Sequence, residues 1–194
     1  MRVAKPLLIV TAAMAATGLA APATASDTAL TEPGEICIQD GIEANLSDAL
    51  VAMLLSGAGL SDPPQNFEAT ARGVVTACVE EHNMETESDE AVARSRIIGR
   101  YSAARATRNE TQRRLAARGV DIAWLDQGLA DQLSQGQNEA VPAATAILER
   151  MALAQPEGLG IDVYDGTQEG LFITALTFGF VFSQLEVDKL ANEL

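Results

Sequence analysis

The sequence predicts an all-α protein, a compact bundle of five to six helices with a buried apolar C-terminal helix. Three observations carry that expectation. Apolar residues recur at three- and four-residue spacing through most of the chain, and cap residues and glycines punctuate those runs. The one run that alternates like a strand has no visible partner strand. The 194 residues divide into a leader, 1–25, and a single helical domain, 26–194, long enough to bury a core.

The leader reads as a signal peptide. Arg2 and Lys5 form a basic start, "PLLIVTAAMAATGLAA" an apolar core, and Ala23-Thr24-Ala25 the small residues a signal peptidase accepts, with cleavage before Ser26. The core is shorter than the roughly 20 residues needed to span a bilayer. No cysteine sits at the cleavage point to take a lipid. The expected location is therefore exported, periplasmic or secreted.

Each element follows from local pattern. From Gln39, the positions Ile42, Leu46, Leu50, Met53 and Leu54 keep helical spacing until Gly57 and Gly59. "SDPP" makes a turn, with Asp62 as a candidate N-cap, before a second helix carrying Phe67, Ala71, Val74, Val75 and Cys78. The third helix is expected to start near Ser88 and to run through a series of arginines to Arg118, where Gly119 stops it. Asp121 can cap the fourth, built on Trp124, Leu125, Leu129 and Leu133 and ended by Gly136. Asn138 can cap the fifth, with Val141, Ala144, Ile147, Leu148 and Met151 on its apolar face. The last element holds Phe172, Phe178, Phe180 and Phe182. Alternation there suggests a strand, but Leu171, Ala175, Phe178, Phe182 and Leu185 trace a helical stripe, so it is read as the central core helix. It looks too short and too interrupted to cross a membrane.

Charge narrows the partners. Without Arg2 and Lys5 the mature chain has 11 basic and 27 acidic residues, a net charge of −16. That disfavours nucleic acid and anionic membrane surfaces, and no stable membrane insertion is expected once the leader is removed. Glu80, Glu81, Glu85, Glu87, Asp89 and Glu90 crowd one stretch. Eight of the 11 basic residues follow between Arg94 and Arg118. At 100° per residue Arg96, Arg100, Arg114 and Arg118 share one side of the third helix. This stripe is the candidate binding face for an acidic protein partner or a second copy of this acidic chain. The competing reading is a solvated face paired with the Glu80–Glu90 stretch, each exposed pair contributing under about 1 kcal/mol.

Little else points to chemistry. Cys37 and Cys78, an even count in an exported chain, are expected to form a disulfide worth roughly 4 kcal/mol on the chain-entropy model. Cys78, Glu81 and His82 lie within one helical turn. Zinc sites usually take three or four protein ligands, and Cys78 lies in the apolar stripe and is expected to pair with Cys37, so His82 is read as a surface histidine, with no metal or other cofactor expected. Asp162, Asp165 and Glu169 do not fit a calcium loop. Phosphate-cradling, nucleophile-elbow and S-x-x-K motifs are absent from the sequence, and no catalytic residue is assigned.

One stretch resembles a known family. In "ARGVDIAWLDQGLADQLSQGQ", Gly119, Val120, Asp121, Gly128, Leu129, Asp131, Leu133 and Gly136 follow the pattern of the helical N-terminal region of macrophage-infectivity-potentiator-type FKBP proteins. The likeness covers about residues 115–137. Arg118 stands where that family usually has a polar amide, and the 57 residues after Gln137 leave no room for the β-rich isomerase domain. The resemblance thus implies the dimerising helical module without the enzyme. Taken together, the expected function is an exported, non-enzymatic helical interaction module able to self-associate. The alternatives are a carboxylate-dependent enzyme and a carrier of small apolar ligands built on the phenylalanine-rich last helix.

Overall fold

A computed structural model describes residues 30–56, 66–136, 139–153, 163 and 166–194. The leader, Gly57 and Gly59, the "SDPP" turn with Asp62, Asn138, and Asp162 and Asp165 lie outside the described residues. Among those described, all regular structure is helical: α1 (Pro33–Ser56), α2 (Phe67–His82), α3 (Asp89–Ala116), α4 (Ile122–Ser134), α5 (Ala140–Ala152) and α6 (Gln168–Ala191). The all-α bundle expected from periodicity is what the chain forms.

The ends of the helices show why. Ser88 precedes α3 in extended conformation, and its side chain accepts a bond from the Ala91 amide. The Asp121 carboxylate accepts from the amides of Ala123 and Trp124 at the start of α4. Gly119 (φ 82°) and Gly136 (φ 80°) take the left-handed conformation that ends α3 and α4. Two expectations need correction. Pro33, not Gln39, opens α1, its fixed φ and missing N–H suiting a first turn. Cys37 therefore sits within α1. At α5 the residue before the helix is Glu139, which makes no side-chain cap.

The helix α3 is the spine. It packs against α1 on one side and α6 on the other; α2 covers α1, α5 packs on α6, and α4 packs on α5 and, more lightly, on α3. Two apolar cores form along the long helices. One joins Ile38, Ile42 and Leu46 of α1 to Cys78, Ile98, Tyr101, Val187 and Leu190. The other gathers Leu115, Leu125, Leu129, Ile147, Met151, Leu176 and Phe180. The Cys37–Cys78 disulfide ties α1 to α2. Gly179 lets α6 approach α1, because a Cβ there would collide with the Leu54 side chain.

The central place of α6 matches the expectation. The helical stripe is buried unevenly, with Phe178 and Leu185 packed against the core. Leu171 and Phe182 are 62% and 48% exposed, and Ala175, Phe178 and Leu185 are only half-buried. The buried face is Ile173, Leu176, Thr177, Phe180, Val181, Gln184 and Val187. Val141, expected on the apolar face of α5, is also exposed. At 24 residues, α6 is long and apolar enough to cross a membrane, contrary to the expectation from sequence. More than half of that window is buried in the bundle, as in the core helix of a soluble protein.

Candidate functional site

The four singled-out arginines lie along one line of α3 and its continuation, but they differ in what they touch. Arg96 is exposed near the start of α3. Arg100 pairs with Glu186 of α6. Arg114 donates from Nε to Glu110 at 2.6 Å and from Nη2 to Asp48 of α1 at 2.7 Å. Arg118, in the turn after α3, lies 2.9 Å from Glu169 of α6, with its guanidinium 4.1 Å from the Phe172 ring centroid. On the same helix Arg94 donates to Glu35 at 2.5 Å. These acidic partners come from α1, α3 and α6, and none belongs to the Glu80–Glu90 stretch of the competing sequence reading. Three of the four arginines thus fasten α3 to its neighbours.

Between the arginine pairs the same line of α3 carries Ala103, Ala104 and Thr107. Small side chains at these positions leave a groove. Its walls are Leu50, Met53 and Leu54 of α1 and Gly179, Phe182 and Ser183 of α6, and the Arg100–Glu186 pair stands at its edge. The groove has a volume of about 370 Å³ and is largely apolar. Phe182 extends it onto the outer face of α6, where the Phe178 and Phe182 rings lie 6.4 Å apart. The sequence located the α3 face through its arginines. It missed the groove, whose signal was the run of small residues between them.

Charge around the site is satisfied in specific ways. Glu110 accepts from Arg113 and Arg114 at 2.5–2.6 Å, and those bonds, Arg113 first, hold its carboxyl down to about 2. The bond to Glu35 raises Arg94 above its usual value. Elsewhere, burial pushes Asp126 and Asp188 above the usual carboxylate range, opposed at each by Arg108 and a glutamine hydrogen bond. Neither lines the groove. His82 is exposed in the last turn of α2, as expected.

Comparison with protein-family models, curated proteins and solved structures finds no match.

Proposed function

We propose that the protein is an exported helical interaction module without catalytic activity of its own, and that it binds through the groove between α1, α3 and α6. The observation that carries this reading is the apolar groove opening in the middle of α3's arginine-bearing line, with exposed Phe182 on its rim. Because Arg100, Arg114 and Arg118 are already engaged with acids of the same chain, they do not call for an acidic partner. A mature net charge of −16 instead favours a partner segment that sets an apolar helix face between basic residues. Self-association through the same face, which the resemblance implies, must work against that charge.

The test uses a labelled amphipathic peptide with a Leu/Phe face, in lysine-flanked and glutamate-flanked versions. Fluorescence anisotropy should report binding of the lysine-flanked peptide to the mature, oxidised protein. Phe182→Glu should abolish it while leaving the melting temperature within a few degrees. Binding that survives Phe182→Glu, or absence of binding to both peptides, would sink the proposal. A second reading rests on size, since about 370 Å³ falls within the range of small-ligand pockets. A fluorescent fatty acid that binds where neither peptide does would favour a carrier of small apolar ligands.

A further inference from the structure

The bundle brings together one group of metal-binding side chains that the groove does not use. Ligand atoms of Cys37 on α1 and of Glu81 and His82 on α2 all lie within 4.8 Å of one another. Cys78, bonded to Cys37, precedes Glu81 and His82 by three and four residues on α2, so it belongs to the same face of that helix. Glu81 and His82 are exposed and Cys37 is half-buried, at an open concavity that Asp40 and Pro33 also line.

We propose that this cluster is a redox-gated site for a zinc-class divalent cation, closed while the disulfide stands and opened by its reduction. In the oxidised protein the cysteine sulfurs share a covalent bond and are poor ligands, leaving one imidazole and one carboxylate. That is fewer than the three or four protein donors zinc sites use. A dithiol reductant changes the set. Exchange transfers the disulfide to the reductant, which leaves as its cyclic disulfide, and Cys37 and Cys78 become thiols. Binding the cation then releases one proton from each thiol and gives two thiolates, the His82 imidazole and the Glu81 carboxylate. Two sulfurs, one nitrogen and one oxygen form a four-donor set suited to tetrahedral zinc. The same two helices stay joined in either state, by a covalent bond or by the metal. Sequence reading set this site aside because Cys78, in the apolar stripe and paired with Cys37, leaves too few donors beside Glu81 and His82. Reduction returns both sulfurs, that of Cys37 from α1, 41 residues earlier than Cys78.

The experiment compares the mature protein oxidised and reduced under anaerobic conditions, with Co²⁺ as the spectroscopic probe and Zn²⁺ as competitor. The reduced protein should take up one equivalent of Co²⁺, with a near-ultraviolet sulfur-to-metal band and the visible bands of tetrahedral cobalt. Zn²⁺ should displace it, and the oxidised protein should show no sulfur band. His82→Ala, which keeps both cysteines, should weaken binding by at least about tenfold. Equal binding in the two redox states, uptake without the sulfur band, or an unchanged His82→Ala affinity would overturn the proposal. If reduction unfolds the chain, Zn²⁺ must restore the far-ultraviolet helical signal; failure to restore it overturns the proposal as well.

Discussion

Replacing Glu110 by glutamine tests whether the arginine-rich end of α3 is held by its own carboxylates. Glu110 is 8% exposed and receives both Arg113 and Arg114, and Arg114 in turn reaches Asp48 on α1. Lowering its carboxyl from 4.5 to about 2 corresponds to about 3 kcal/mol at 1.36 kcal/mol per unit. That figure is a ceiling. The carboxylate itself is buried, but the Arg113 side chain that makes the leading bond to it is 68% exposed, so solvent screens much of the interaction. A loss of about 1–2 kcal/mol at pH 7 is the working expectation. Because the folded-state value lies below the unfolded one, this stabilisation is full above about pH 4.5 and disappears as the pH falls toward 2. Urea unfolding of wild type and Glu110→Gln at a series of pH values from 7 downward measures it. The two curves should converge on acidification, since glutamine resembles the protonated carboxyl. Equal stability at pH 7, or a gap that persists unchanged at pH 3, would show that the ion pairs contribute nothing to holding α3.

Four further substitutions have expected outcomes. Asp188→Asn should stabilise the protein slightly at pH 7, because burial penalises the charged form there. The gain should shrink as the pH falls through the raised folded-state value and be gone below the ordinary carboxylate range; thermal melts at pH 7 and pH 3 check this. Gly119→Ala should cost about 1 kcal/mol although open space surrounds it, because alanine resists φ 82°. Asp121→Ala should cost a similar amount by removing the α4 cap, and denaturant midpoints read both. Replacing both cysteines by serine should remove about 4 kcal/mol on the chain-entropy model for a separation of 41 residues; an unshifted urea midpoint would contradict it.

Features written in adjacent residues were legible in the sequence. Ser88 and Asp121 cap the helices they precede, and Gly119 and Gly136 end helices at positive φ, because each acts within four residues of itself. The start of α1 carried a local signal that the apolar count overlooked, a proline at the first helical position with Glu35 in the first turn. The facing of α6 was not legible, for a different reason. Both sides of that helix are apolar, and the side that packs inward includes Thr177, Ser183 and Gln184. Thr177 and Ser183 bond to carbonyls of their own helix, at 2.9 Å to Ile173 and 2.7 Å to Gly179, so burying them leaves no hydroxyl unpaired. Periodicity weighs phenylalanine and leucine above threonine, so the stripe it traced includes exposed Leu171 and Phe182 as well as Phe178 and Leu185, which pack on the core. The arginine pairings were hidden by distance along the chain, since Asp48, Glu169 and Glu186 lie 66, 51 and 86 residues from the arginines they meet.

The exposed part of that stripe bears on what the surface can bind. A helix that buries threonine and serine while exposing Leu171 and Phe182 leaves apolar contact energy unused by its own fold. Their exposed parts amount to roughly 200 Å² of apolar surface, worth about 5 kcal/mol if a partner covered them fully. Association itself costs about 4–15 kcal/mol in lost translational and rotational freedom. These two side chains alone therefore barely reach the lower bound and cannot hold a lasting complex. Covering the floor of the groove at Ala103, Ala104 and Thr107 adds the missing area, and only a partner shaped to enter it gains that contribution. Phe182, which belongs to both the outer face and the groove, is where the two contributions join. Substitution at Phe182 should thus weaken binding more than substitution at Leu171, although Leu171 is the more exposed of the two. Titrating the lysine-flanked peptide against Phe182→Ala and Leu171→Ala decides the matter, and equal losses would assign the binding to a greasy surface rather than to a groove.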